Sequence, residues 1–225
     1  MKAASRRIES AQTAPHDDLV RRVERARESV WQRPPAAHTL DAFADAERWL
    51  AEAGRPLILD AGCGVGLSTR QLAERYPEHA VIGVDRSEDR LGRDHGPLPD
   101  NARLVRADLV DFWRLARAAD WRPRRHYLLY PNPYPKRAQL KKRWQGHPVF
   151  PTLIALGGRL ELRTNWEVYA REFALAVSTL VGREAPVEAF TPGDAYLTPF
   201  ERKYAESGQT LWRYRIGLDA VPESS

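Results

Sequence analysis

Residues 57–76 read LILDAGCGVGLSTRQLAERY, and this stretch decides the fold. Leu57, Ile58 and Leu59 form a short apolar run suited to a buried strand, and the residues after Gly66 continue as a helix. Between the two stand Gly62, Gly64 and Gly66. Without a Cβ, glycine permits a tight turn and lets backbone N–H groups approach a ligand. A strand, a glycine turn and a helix in that order predict the ligand-binding edge of an α/β sheet. The turn begins at Asp60 and reads D-A-G-C-G-V-G, unlike the G-x-G-x-x-G that cradles a pyrophosphate. A carboxylate at that entrance repels phosphate and attracts an ammonium group. Cys63 reads as a small residue filling the turn rather than as a nucleophile, because no base stands near it in sequence.

The pattern continues outward from this stretch. Short apolar runs at 80–85, 102–107, 126–130 and 159–163 alternate with helical or loop stretches, which predicts a parallel sheet covered on both faces. A helix is expected over 166–181, followed by strand-like stretches near 186–190 and 210–218. The last of these, TLWRYRIGL, alternates apolar and polar residues as a less buried antiparallel strand should. Upstream, one helix is expected from Asp17 to just before Pro34, and a second over 39–53 that Gly54 and Pro56 stop. Residues 1–14 are small, polar and basic and read as a mobile tail. The expected organisation is a tail and helical extension at 1–54 and one α/β domain at 55–220. That domain is read as a mostly parallel seven-stranded sheet with helices on both faces and an antiparallel strand near the C-terminus.

A chain of 225 residues with 43% hydrophobic content can build one full core. Its longest apolar run, near 151–156, is far short of the ~18–20 residues of a membrane span, and MKAASRRIES lacks a signal-peptide core. A soluble, cytoplasmic protein with no membrane association is therefore expected. A single cysteine excludes an intrachain disulfide and a cysteine-cluster metal site, so no metal is expected. The formal net charge is +5, and its distribution is uneven. From Trp121 to Leu160 there are nine Lys and Arg and no Asp or Glu, whereas the rest of the chain holds 26 basic residues against 30 acidic ones. A local basic run of this kind suits a polyanion held by its phosphates, and structured RNA is the expected partner of segment 122–143.

Two more acids close successive strands. Asp85 ends VIGVD about 20 residues after the glycine turn, where a carboxylate can accept from both ribose hydroxyls. Asp108 ends LVRAD, either reaching an adenine amino group or capping the helix that begins LVDFWRLA. Asp60, Asp85 and Asp108 at three strand ends, with the glycine turn, resemble the Rossmann-like class I methyltransferases. The resemblance implies S-adenosyl-L-methionine as cofactor.

After the fourth strand comes PNPYPK at 131–136, then KRAQLKKRW, and further on TNWEVYA at 164–170 and TPFERK at 198–203. In this order the three motifs resemble those of the bacterial tRNA (guanine-N7)-methyltransferase family. The resemblance implies methyl transfer to N7 of a guanosine in tRNA. It further implies cofactor contacts from Asp60, Gly62, Gly64, Gly66, Asp85, Asp108 and Asn132, with Asn132 also at the reacting centre. Substrate contacts would come from Lys136, Asn165, Thr198 and Glu201. Thr198 can equally serve as a helix N-cap with Glu201 completing a capping box. Trp166 and Tyr169 are expected to pack on the sheet rather than stack on a base.

Where the family carries Asp, this chain has Asn at 132 and 165. Guanine N7 attacks with a lone pair and has no proton to lose, so alignment matters more than a strong base. An amide nevertheless brings an N–H that could oppose the donor edge of guanine. Two alternatives therefore stay open on the residues. Asn-Pro-Tyr partly resembles the turn of amino-group methyltransferases acting on another nucleic acid or on protein, and the paired Asn could mark a catalytically silent RNA-binding relative.

Overall fold

The computed structural model describes residues 5–29, 31–193 and 195–218. The elements run α1 (Leu19–Glu28), α2 (Ala37–Ala53), β1 (Leu57–Ala61), α3 (Leu67–Arg75), β2 (Ala80–Asp85), α4 (Glu88–Leu91), β3 (Ala102–Arg106) and α5 (Leu109–Ala118). They continue with β4 (Arg125–Leu129), α6 (Phe150–Ala155), β5 (Arg159–Thr164), α7 (Glu167–Val181), β6 (Val187–Phe190), α8 (Pro199–Glu206) and β7 (Leu211–Gly217). Two 3-10 turns, Arg137–Lys142 and Trp144–Gly146, lie between β4 and α6.

The strands make one seven-stranded sheet in the order β3-β2-β1-β4-β5-β7-β6. β1 pairs in parallel with β2 and β4, and β2 with β3, while β6 and β7 are antiparallel. This is the mostly parallel sheet with a late antiparallel strand that the sequence predicts. Every residue of β1 and β2 is buried, which is why they read as unbroken apolar runs, whereas β7 alternates buried with more exposed positions. Gly54 ends α2 in the left-handed conformation, its N–H donating to Leu50 O at 3.2 Å, as its position after the helix predicts.

The chain divides into two compact units that interleave in sequence. One comprises Gln32–Leu129, Ala155–Leu160 and the described residues from Gly217 onward. Its core holds Ile58, Leu59, Val81, Ile82 and Leu72, with Phe43, Phe112 and Trp121 in mutual edge and tilted contact at 4.8–5.7 Å between ring centroids. The other comprises the described residues up to Trp31, Tyr130–Ile154 and Glu161–Ile216. There α1 packs on α7, and Phe173 meets Phe150 and Tyr214 edge-on.

Two expectations at the N-terminus are corrected. Asp17 and Asp18 precede α1 instead of forming its first turn, and Asp17 pairs with Arg137 at 2.8 Å. Residues 5–14 are irregular but not a free tail. Gln12 is buried, and Ser10 Oγ donates to Pro135 O at 2.6 Å. Polar composition concealed this anchoring because the partners of Gln12 are themselves polar and buried, a pairing that hydropathy cannot register. The parts of the predicted tail at 1–4 and of the predicted domain at 219–220 lie outside the described residues.

Candidate functional site

The glycine turn is built on β1 and β2. Gly62 N and Cys63 N donate to Val84 O at 2.8 and 3.0 Å, and Gly66 N donates to Cys63 O at 3.0 Å. Gly62, Gly64 and Gly66 sit at φ of 81°, 60° and 77°, a region that a side chain would strain. Behind the turn, Gly83 leaves bare backbone against α3: a Cβ there would stand 2.1 Å from Thr69 Oγ1. That close approach brings the first turn of α3 to Asp60, whose Oδ2 accepts from Ser68 Oγ at 2.6 Å and Thr69 Oγ1 at 2.8 Å.

Asp60 is buried, and its second oxygen, Oδ1, has no hydrogen-bond partner. Burial raises its pKa to about 6, the two hydroxyl bonds pulling down and Asp85 adding upward. A buried carboxylate oxygen without a donor is costly, and a ligand that brings a donor to it would remove that cost. Asp85 accepts from Gly64 N through Oδ2 at 3.0 Å and from Ser87 N through Oδ1 at 2.8 Å, so it shapes the turn from the far strand. Asp108 caps α5, its Oδ1 accepting from Val110 N at 2.9 Å. The capping role foreseen for it is realised. This set of acceptors, with no basic residue in the glycine turn, fits a ligand bearing an ammonium group and hydroxyl donors better than a phosphate. Cys63 is buried beside Asp60 and Asp85, and burial pushes its thiol well up, which keeps it protonated and unreactive.

The residues expected to meet substrate lie in the other unit. The turn after β4 is bracketed by Tyr130 at φ 51° and Tyr134 at φ 43°, left-handed conformations that non-glycine residues rarely hold without support. Tyr130 is supported at both ends: its N–H donates to Arg163 O at 2.8 Å and its hydroxyl to Glu201 Oε2 at 3.0 Å. Burial first, then Glu201, raises the Tyr130 hydroxyl far above its ordinary pKa, so it remains a donor. Arg163 Nη1 reaches both oxygens of Glu201 at 3.1 and 3.0 Å, and Leu197 N donates to Oε1 at 3.1 Å. Thr198 Oγ1 accepts from Glu201 N at 2.9 Å and so caps α8. Glu201 is fully buried with both oxygens engaged, and contact with a base would require it to release one of these bonds.

Asn132 and Lys136 are exposed, and among the described residues the Asn132 side chain has no hydrogen-bond partner. Asn165 is half-buried, its Nδ2 donating to Gln209 Oε1 at 2.9 Å. Trp166 and Tyr169 are buried, as expected of packing residues. The basic run is not a uniform track of free cations. Arg143 is wholly buried against Glu172, Arg137 and Arg122 pair with Asp17 and Asp120, and Arg125 lies over the Tyr76 ring at 4.6 Å. Charge counting could not separate these from the exposed residues Lys136, Lys141 and Lys142, of which the last has its amine 5.8 Å from the centre of the Tyr134 ring. Ser68, Thr69, Tyr130, Arg163 and Gln209 were not singled out from sequence. Only Ser68 and Thr69 carried a signal, as hydroxyls in the first turn after the glycines.

Among the described residues no helix is long and apolar enough to cross a membrane, and no group of three or more His, Cys, Asp or Glu could hold a metal ion.

Solved structures share this fold. The 16S rRNA (adenine(1408)-N(1))-methyltransferase from Catenulisporales acidiphilia, in a mutant form with cosubstrate SAM, aligns at a TM-score of 0.54 and 19% identity, covering 80% of this chain and 93% of that one. The aminoglycoside resistance methyltransferase NpmB1 aligns at 0.52 and 20% identity, covering 84% and 95%. The architecture is that of the class I methyltransferases. Residues 54–214 match the family model described as "Putative methyltransferase", and the chain belongs to this methyltransferase family. Its relatives include the tRNA (guanine-N(7)-)-methyltransferase of Cupriavidus pinatubonensis, 28% identical over 80% of this chain and 72% of that protein. The protein of the same name from Acidithiobacillus ferrooxidans is 29% identical over 78% of this chain and 81% of its own length. The resemblance drawn from the three motifs is borne out by these relatives.

Proposed function

We propose that this chain transfers a methyl group from S-adenosyl-L-methionine to N7 of a guanosine in tRNA, acting in the cytoplasm. The observation that carries the reading is the buried, partnerless Oδ1 of Asp60 beside the glycine turn, in a chain whose relatives bear that activity in their names. When bound, the cofactor supplies a methyl group made electrophilic by its positive sulfur.

The chain's own residues then have separate tasks. Asp60 Oδ1 accepts from the cofactor's ammonium, and Gly62, Gly64 and Gly66 keep the turn open for it. Asp85 and Asp108 keep acceptor capacity for ribose and adenine beyond their structural bonds, since each carboxylate oxygen has more than one lone pair. Asn132, exposed and with no side-chain hydrogen-bond partner among the described residues, is assigned the task of orienting the transfer. Because guanine N7 brings its own lone pair, no residue has to remove a proton, and alignment is the main task. Lys136 and the exposed Lys141 and Lys142 hold phosphates. Asn165 meets the base, while Thr198 and Glu201 hold α8 and Tyr130 in place for it.

The test is a methyl-transfer assay with radiolabelled S-adenosylmethionine and unmodified tRNA, followed by nucleoside analysis. The expected product is 7-methylguanosine. Label on another nucleoside or on protein would overturn the N7 reading in favour of amino-group transfer. Cofactor binding without any transfer would point to a silent RNA-binding relative.

A further inference from the structure

Asn165 directly follows β5, and its amide has two unlike ends, one donating and one accepting. Its orientation follows from a chain of three groups. Gln209 Nε2 donates to the carbonyl of Ser5 at 3.0 Å. A backbone carbonyl can only accept, so the nitrogen end of Gln209 must face Ser5 and its Oε1 must face away. Asn165 Nδ2 donates to that Oε1 at 2.9 Å, which fixes the second amide in turn. The end left over is Asn165 Oδ1, and among the described residues nothing donates to it.

Two members of this relay are also held through their backbone N–H groups. Ser5 N donates to Ser207 Oγ at 2.9 Å, and Gln209 N donates to Tyr204 O at 3.1 Å where α8 ends. Gln209 also lines a cavity of about 440 Å³ together with Phe190, Thr191 and Pro192. Neither amide can turn over without breaking a bond to a group that has no donor to offer in exchange.

We infer that Gln209 is a specificity-determining residue: with the Ser5 carbonyl it holds Asn165 so that a carbonyl oxygen, not an N–H, is offered to the donor edge of the target guanine. The inference rests on the methyl-transfer reading above and deepens it. A freely turning Asn165 would present its NH₂ to the guanine N1–H and 2-amino group, donor against donor. A locked Asn165 presents an acceptor, as a carboxylate would. An amide at 165 is thus compatible with recognising guanine because Gln209 is present.

The experiment compares tRNA carrying guanosine at the methylated position with the same tRNA carrying inosine there, which lacks the 2-amino donor. For the unaltered protein, kcat/KM should favour guanosine. Gln209→Ala should lower kcat/KM on guanosine about tenfold, the loss of one oriented hydrogen bond, lower the inosine value distinctly less because inosine keeps the N1–H but not the 2-amino donor, and leave cofactor affinity unchanged. Gln209→Glu, which still accepts from Asn165 Nδ2 but loses the donor to Ser5 O, should keep only part of the preference. An equal loss on both substrates, or a preference within twofold of the parent in Gln209→Ala, would overturn the proposal. Should the unaltered protein transfer no methyl to tRNA, the methyl-transfer reading falls by itself. The relay is then read from the Asn165 side-chain amide by ¹⁵N NMR. A shift of that resonance in Gln209→Ala upholds the lock, and an unmoved resonance refutes it.

Discussion

Arg143 Nη1 meets both carboxylate oxygens of Glu172, at 2.8 and 2.7 Å, with neither side chain exposed to solvent. The same guanidinium donates to Tyr134 O at 3.1 and 3.0 Å and to Lys136 O at 3.3 Å, and lies 4.9 Å from the centre of the Trp166 ring. One buried cation therefore ties the strained turn after β4 to α7 and, through Gln12, to the N-terminal segment.

Removing one partner of such a pair strands the other charge without water. Arg143→Ala should cost about 3–5 kcal/mol of stability in urea denaturation. Arg143→Lys should recover only part of it, because one ammonium cannot replace a planar fork that serves a carboxylate and two carbonyls. A loss under ~1 kcal/mol would show that this network is not what secures the turn.

Asp60 predicts a pH dependence of definite sign. Its pKa rises from 3.8 to about 6 on folding, chiefly through burial. Between those values the folded state keeps a proton that the unfolded chain has released, so stability falls as pH rises through the window. The full effect, roughly 3 kcal/mol at most, is reached above about pH 6 and is absent below about pH 4. Asp60→Asn should therefore match the parent in acid and exceed it at neutral pH, in denaturation curves taken side by side. The same substitution should weaken cofactor binding, since an amide offers the ammonium no charge.

Gly83→Ala tests the seat of α3. The added methyl would fall 2.1 Å from Thr69 Oγ1, inside any permissible contact, and 3.0 Å from Leu104 Cδ2, close enough to push that side chain back. A loss of about 1–3 kcal/mol in thermal melts is expected from overpacking. Cofactor affinity measured by calorimetry should fall with it, because Thr69 must move off Asp60.

The exposed lysines should carry the salt dependence of RNA binding. Replacing Lys136, Lys141 and Lys142 with Ala should make the slope of log affinity against log salt shallower, by about 0.7–0.9 for each phosphate that is no longer neutralised. Filter binding over a range of salt concentrations reads this directly. An unchanged slope would place the phosphates elsewhere.

The sheet, the glycine turn and the family were all legible in the order of the residues. Apolar runs such as LILDA and VIGVD are buried on both faces, and that condition leaves a mark on composition that can be read without coordinates. Three glycines at positive φ and three motifs in order are likewise local facts. Which charges work outward and which work inward is settled only by the folded chain. Arg143 and Lys142 are adjacent letters of one basic run, yet one is sealed against Glu172 and the other is exposed. For Glu201 the resemblance implies a substrate contact, and only the folded chain brings Arg163, Tyr130 and Leu197 to donate to it. Gln209 carried no signal at all, because its role depends on Ser5 and Asn165 meeting it from 204 and 44 residues away. A polar side chain's partner is chosen by the folded path of the chain, whereas an apolar side chain needs only to leave water. That difference is why the scaffold could be read from the sequence and the wiring of the polar site could not.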